Sequence, residues 1–537
     1  MDGSPNPIAW LALLAVAPFA FYAFRTWRPQ RAAMIVMFGG AMFLPCVIKF
    51  NFPVIPDFDK ELLPGFWSLV ACFVLRRGAL KARPFRGPEG LIALATIAVY
   101  GTVLTNTDPI VHGPVTLPGQ TFYDGLVDGM QILATWFPPF YLGRALFRTS
   151  KDLNELVRFM ALAGLVYSVP ILLELRLSPQ LHNWVYGFHQ SDFIQTIRFG
   201  GYRPKVFMRH GLNVALFMTM TVVAAAALWK AKGQLRKFWT PGRAAIYLLV
   251  ILVLCKSTGA YFHLAILLPV VLLTGIGVQR IVAMTLATLI LGYPLFRSMN
   301  WIPVDDIVEW MRVNVNEERA LSLWFRLFTE EEVLENARER IWFGWGGYGR
   351  PFEFDSTTGE MTSILDGYWT IELGTHGVVG WLCIFGMMLW PVLVAVRYLP
   401  KIEAKRDRIL IAALAMLSAL YVFDWLPNSS ISADLTFMVG ALAGVVPGIL
   451  AEQRARRAQL RKEKAEAHRK QREERRSGRP PPGAAPAGAA PGGMPPMGGG
   501  GMPPMGGGGS PPPNGGWWTP PRGGGPSGGV PPPVSGR

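Results

Sequence analysis

Residues 206–229, VFMRHGLNVALFMTMTVVAAAALW, are apolar for long enough to cross a membrane as a helix. About 20 such residues span a hydrocarbon core of roughly 30 Å. The whole chain is 51% hydrophobic and 16% charged, whereas a soluble domain has about 25% charged residues. The sequence therefore predicts an all-α polytopic membrane protein with about 12–13 transmembrane helices, near 8–23, 32–49, 61–76, 90–106, 128–147, 154–174, 206–229, 242–255, 259–277, 280–297, 368–396, 409–426 and 431–450.

The distribution of Lys and Arg between the predicted spans indicates the orientation of the chain. Cytoplasmic loops are enriched in these residues. Basic loops alternate along the chain with loops that have few basic residues, the basic ones being 24–31, 76–86, 230–243 and 397–408. This alternation predicts an external N-terminus, a cytoplasmic C-terminus and one large external loop, 298–367.

Four parts of the chain are distinguished by composition: a membrane domain, 1–450, the loop 298–367 inside it, a basic helix, 451–479, and a tail, 480–537. The tail is rich in Pro, Gly and Met, which predicts disorder because it has too little apolar surface to offset the entropy of ordering. The net charge of +16 does not indicate nucleic acid, since the basic residues lie at span ends and in the tail. No nucleic-acid partner is expected.

Several arginines depart from the positive-inside trend. Segment 177–205 is predicted to be external, yet it carries Arg198, Arg203 and Lys205, and Arg209 follows one or two turns into the next helix. One interpretation is that these residues pair with nearby acids or lipid headgroups. The other is that they bind an anionic ligand, because a guanidinium group suits phosphate oxygens.

The large external loop contains a second group of candidates. Arg326 lies among apolar residues whose helical period continues to Ile341, so Arg326 and Arg338 are expected on a helix against the membrane. The following segment, GWGGYG at 344–349, is too rich in glycine for a helix. Gly344 and Gly346 would let backbone amides approach an oxyanion or a sugar, and the alternative is a plain tight turn.

Polar residues at the start of the span after the loop are the acid or base candidates. Asp366, Glu372 and His376 lie on or near an otherwise apolar helix, where an unpaired carboxylate is costly. Glu372 and His376 are four residues apart and can share one helix face.

Four short motifs give these candidates a family context: GYRP at 201–204, FRL at 325–327, WFGWG at 342–346 and GVVG at 377–380. With the architecture of residues 90–450 they resemble the O-antigen ligase and O-antigen polymerase superfamily, which works on lipid-linked glycans. Where the ligases have a histidine shortly before the glycines of the last motif, this chain has Asp366, and His376 is too close to Gly377 to be the counterpart. This departure favours a polymerase, or a relative with a carboxylate in that role.

The resemblance implies a metal-independent glycosyltransferase without a cofactor, in the bacterial inner membrane, with its large loop in the periplasm. The donor would be a glycan on undecaprenyl pyrophosphate and the acceptor a second glycan. The pyrophosphate would be bound by Arg203 and Arg326, with Arg209 and Arg338 in support, and Asp366 would be the base, with Glu372 second. The tail would be a contact for polysaccharide export machinery.

Two other functions stay open at this point, beside a purely structural scaffold, which only the tail supports. One is a ligase that transfers a finished glycan to lipid A core or to protein. The other is a polysaccharide or lipid transporter, which should show internal repeats and polar residues at mid-span. No clear repeat is present, and Asp424 and Asp434 lie near span ends.

Overall fold

The computed structural model describes residues 3–52, 55–198, 200–314, 316–363 and 365–476. They are mostly helical, with three two-stranded antiparallel hairpins, Phe50–Phe52 with Ile55–Phe58 (β1–β2), Ile110–His112 with Val115–Leu117 (β3–β4) and Ile197–Arg198 with Gly201–Tyr202 (β5–β6). The helices are α1 Pro7–Leu14, α2 Val16–Thr26, α3 Pro29–Phe43, α4 Leu63–Arg76, α5 Gly90–Leu104, α6 Phe122–Leu146, α7 Ser150–Leu177, α8 Leu181–Tyr186, α9 Gly211–Lys230, α10 Pro241–Leu254, α11 Thr258–Leu273, α12 Ile276–Ser298, α13 Val304–Asn314, α14 Glu317–Glu339, α15 Tyr368–Tyr398, α16 Lys405–Phe423 and α17 Ala433–Arg476.

Every predicted span falls on one or more of these helices. Within the described residues, six helical segments are long and apolar enough to cross a membrane, namely Pro7–Thr26, Ser150–Leu177, Gly211–Lys230, Ile276–Ser298, Tyr368–Lys401 and Ala433–Glu473. Three shorter apolar helices are α5, α10 and α11. The multi-pass character is thus plausible from length and composition, while the count of 12–13 spans stays a prediction.

Helix α9 lies in the centre of the compact unit Met1–Ala465. Every residue from Val214 to Leu228 is buried, and the helix packs against α7, α10, α11 and α16. Small side chains allow close approach: a Cβ at Gly164 of α7 would overlap with Thr221 of α9. A helix that is apolar on all faces is expected to be enclosed in this way.

Helix α15 is sharply bent, which the single predicted span 368–396 did not anticipate. Gly377 interrupts it with φ 66° and ψ −169°. The rings of Tyr368 and Phe385 stack with centroids 6.1 Å apart, although a continuous helix would separate the two residues by about 25 Å. The first segment, 368–376, therefore folds back against the second, and we call it the re-entrant segment.

The glycine-rich loop fastens this bend. The N–H groups of Trp345 and Gly346 donate to the carbonyls of Gly374 and Thr375, each at 2.8 Å, and that of Val378 donates to Ile341 at 2.8 Å. Backbone groups left unpaired by the interrupted helix thus find partners in another part of the chain, as buried peptide groups must.

The start of α9 differs from the sequence prediction. The helix begins at Gly211, and His210 is its N-cap, with Nδ1 accepting from the Leu212 N–H at 3.2 Å. Arg209 and His210 therefore precede the helix and do not lie one or two turns inside it. The physical reason is that the segment after Pro204 is extended and turned, with Val206 at φ 50°.

Two further predicted segments correspond to helices of the structure. The helical period of 321–341 corresponds to α14, and the basic segment 451–479 is the end of α17, helical to Arg476 in the described residues. The predicted disordered tail, 480–537, lies outside the described residues.

Candidate functional site

Arg326 and Asp366 form an ion pair at the start of the re-entrant segment. The Arg326 Nη2 lies 2.9 Å from the Asp366 Oδ2, and the two side chains are 41% and 46% exposed. The Asp366 carbonyl accepts from the Ser429 hydroxyl at 2.8 Å. A predicted anion-binding residue and the predicted base therefore meet, and both can still be reached by solvent.

Several positive charges, that of Arg326 among them, act on His210. The pKa of His210 is lowered to about 4, first by burial and then by the charges of Arg203, Lys205, Arg198 and Arg326. A like charge disfavours protonation only over a short distance. The segment 198–205 and helix α14, far apart in sequence, thus contribute positive charge to one region.

Arg203 and Lys205 are inside this region. Arg203 is 5% exposed and donates to the Ser257 hydroxyl at 3.2 Å, and Gly211 leaves room for its side chain. Lys205 is 1% exposed, and its ammonium group donates to the hydroxyl of Ser191 at 3.0 Å. Burial lowers the pKa of Lys205. Both residues therefore contribute positive electrostatic potential from buried positions and are not exposed for direct contact with a ligand.

Arg209 is exposed and lines a small cavity of about 40 Å³. Lys60 and Ser430 line the same cavity, and Ser430 is the neighbour of the serine that binds the Asp366 carbonyl. The loop between α16 and α17 thus lines the Arg209 cavity and also contacts the Asp366 carbonyl.

Arg338 lies elsewhere on α14. Its Nη2 pairs with Glu331 at 2.9 Å, and Glu331 also pairs with Arg297 at 3.1 Å. Arg338 is about 18 Å from Arg326 along the helix axis. The structure thus brings Arg326 together with Asp366 but separates Arg338 from both.

The two loop glycines have a structural explanation. The N–H of Gly344 donates to Arg340 at 2.8 Å, and that of Gly346 donates to Thr375. Both residues have positive φ, and a Cβ would overlap Thr375 in the first case and Gln120 in the second. In this conformation neither N–H is available to an oxyanion, so the tight-turn alternative describes them better.

Glu372 and His376 are engaged with residues of their own fold. The Tyr368 hydroxyl and His376 Nδ1 lie 2.8 and 2.9 Å from the Glu372 carboxylate oxygens, and His376 Nε2 lies 2.9 Å from Asp128 of α6. Glu372 is 4% exposed. The carboxylate predicted as second base is therefore buried and fully hydrogen-bonded, and the cluster ties the re-entrant segment to α6.

Sequence reasoning missed three contributors: Asp128, Lys60 and the serines of the loop after α16. Asp128 is the first residue of the predicted span 128–147. An acidic residue at the start of an apolar span could have been identified from the sequence as a candidate. Lys60 and Ser429 carry no comparable signal, because their role depends on tertiary contacts.

Among the described residues, no three His, Cys, Asp or Glu side chains form a group that could hold a metal ion. No protein-family model matches the chain, and no curated protein matches it.

Proposed function

We propose that this protein is a bacterial inner-membrane glycosyltransferase that polymerises lipid-linked oligosaccharide repeat units into an exported polysaccharide on the periplasmic side. The observation that carries the proposal is the partly exposed Arg326–Asp366 pair, whose arginine acts on His210 together with cations of the segment before α9. Such a site suits a substrate with a concentrated negative charge next to a hydroxyl that must lose a proton.

The anionic part of the donor is a pyrophosphate on a polyprenyl chain. Arg326 offers a planar fork that can bind two phosphate oxygens, and the exposed Arg209 is a second cation for the pyrophosphate. Arg203 and Lys205 add potential from their buried positions. Fixed positive groups stabilise the charge that develops on a leaving pyrophosphate, which is the main requirement of this reaction.

Asp366 has the role of general base. When the pyrophosphate takes the Arg326 guanidinium, the Asp366 carboxylate is released from its ion pair and accepts a proton from the acceptor hydroxyl. The hydroxyl oxygen bonds to the anomeric carbon, and the bond from that carbon to the pyrophosphate breaks. The products are the extended glycan, on the lipid carrier of the acceptor, and free undecaprenyl pyrophosphate.

Glu372, His376 and Asp128 have a positioning role. His376 lies about 12 Å along the re-entrant segment from Tyr368, away from the Arg326–Asp366 pair, and both of its ring nitrogens are engaged. By fixing this segment to α6, the three residues determine where Asp366 stands.

The chain has 12–13 spans, the large loop 298–367 faces the periplasm, and the C-terminus is cytoplasmic. The tail is available there to polysaccharide export machinery.

A ligase is the second candidate, and His376 is the observation that favours it. His376 is held between Glu372 and Asp128, and a histidine-dependent transfer like that of the ligases would use it with the motif shifted toward the glycines of 377–380. In that case the finished glycan passes to lipid A core or to protein.

The test is reconstitution of the purified chain in vesicles with an undecaprenyl-pyrophosphate-linked repeat unit. The proposal predicts a ladder of lengthened lipid-linked glycans. Transfer of a preformed glycan to added lipid A core, with no ladder, would identify a ligase. Absence of any transfer from this donor class would overturn the proposal.

A further inference from the structure

A groove lies between α3 and α7, and the loop after α9 also lines it. It has a volume of about 930 Å³ and adjoins a second depression of about 720 Å³. Its walls are apolar, with Met34, Ile35 and Phe38 on α3 and Phe159, Leu162 and Val166 on α7. Gly39 widens it, since nothing lies within 4 Å of where its Cβ would be.

The rim of the groove is strongly basic. Six cations line it, Arg28, Arg31, Lys151, Arg158, Arg236 and Lys237, against a single acid, Glu155. Within the described part of the chain, Arg28 pairs with Glu155 at 3.4 Å and with Asp152 at 4.0 Å, whereas the other five cations make no ion pair. A net positive charge is therefore left uncompensated at the mouth of an apolar channel.

We propose that this groove binds an anionic phospholipid, with the phosphate on the rim cations and an acyl chain along α3 and α7. Basic pockets between helices recognise anionic headgroups, and each nearby cation contributes separately. A zwitterionic lipid gains less here, because its own positive group meets the same cations. The site is independent of the proposed glycosyltransferase reaction and shares no residue with it.

The test uses the full chain in detergent and a phosphatidylglycerol that carries a photoactivatable diazirine at the end of one acyl chain. The same probe with a phosphatidylcholine headgroup is the comparison, and crosslinked peptides are mapped by mass spectrometry. We expect phosphatidylglycerol to label 34–43 and 159–166 preferentially, with excess inorganic phosphate failing to displace it.

Three variants separate the effect of charge from that of shape. Arg158→Gln and Arg236→Gln should each lower the ratio of phosphatidylglycerol to phosphatidylcholine labelling about fivefold. Gly39→Leu should fill the groove and abolish labelling by both probes, and it should not unfold α3 because Leu is the better helix former. Arg243→Gln, at the start of α10 and outside the groove, should change nothing.

Equal labelling by the two headgroups would overturn the proposal, and so would groove labelling that survives Gly39→Leu. Each variant is compared with the wild type at equal amounts of monodisperse protein. If one variant fails to fold, the remaining variants still test the proposal.

Discussion

Replacing Gly377 with alanine should damage the fold at the bend of α15. The residue has φ 66° and ψ −169°, a conformation open essentially to glycine alone, and forcing another residue into it costs about 1–3 kcal/mol. A Cβ would also overlap the Trp342 carbonyl. That carbonyl accepts from Val379, and the neighbouring Ile341 carbonyl accepts from Val378. Loosening both bonds adds about 2 kcal/mol.

The expected destabilisation by Gly377→Ala is thus about 3–5 kcal/mol. It would appear as a lower midpoint in thermal or denaturant unfolding of the detergent-solubilised protein. Gly259→Ala is the matched control, because this helical glycine has nothing within 4 Å of its Cβ position and alanine is the better helix former. Equal midpoints for Gly377→Ala and the wild type would refute the bend and the position it gives to Asp366.

Three further predictions concern charge, pH and topology. Arg326→Lys keeps the charge but loses the bidentate fork, so donor turnover should fall about tenfold, whereas Arg338→Lys should retain it; equal losses would return Arg338 to the site. Because the pKa of His210 is about 4 in the fold and ordinarily about 6.5, the unfolded chain binds more protons between these values, and stability should fall as pH drops through this window. His210→Asn keeps an N-cap acceptor but does not titrate in this window. Its free energy of unfolding should therefore fall by about 2–3 kcal/mol less than that of the wild type between these pH values. Identical pH dependences of unfolding for the two proteins would contradict this reasoning. A membrane-impermeant maleimide should reach a cysteine at Thr358 from outside the cell and fail at Arg406, with the four native cysteines buried; labelling of both would refute the orientation.

The helices were predictable because their signal is local. Apolar runs and the helical period of α14 depend on neighbouring residues only, so thirteen runs and one amphipathic segment could be located from the sequence. The first and last residues of the helices were less predictable. His210 was taken as part of a helix, because nothing in the sequence distinguishes a capping histidine from one in the first turn.

The bend of α15 could not be predicted from its own residues. Single glycines are tolerated inside membrane helices, and Gly377 is one of several glycines along a predominantly apolar span. What stabilises the bend is the loop 341–346, whose carbonyls and N–H groups replace the helical hydrogen bonds. That contact is tertiary and leaves no periodic signature.

The candidate site was predictable in its residue types and not in its pairings. Arg326 and Asp366 were identified separately as an anion-binding residue and a base, and their ion pair was not foreseen. Glu372 was selected because a buried carboxylate is costly, yet the structure meets that cost with Tyr368 and His376. Arg338 was selected by helical period alone, which does not specify the neighbour that a side chain contacts.

The turnover of Asp366→Asn with the lipid-linked donor is the most direct test of Asp366 as the general base. The exposed ion pair with Arg326 contributes about 0–1 kcal/mol to stability, so the variant should fold normally. Loss of a general base should lower its rate about a hundredfold to ten-thousandfold, with the donor left unconsumed. His376→Ala, normalised to folded protein, should lose much less. Near-wild-type turnover by Asp366→Asn, together with an inactive His376→Ala, would contradict the account and assign the base to the histidine.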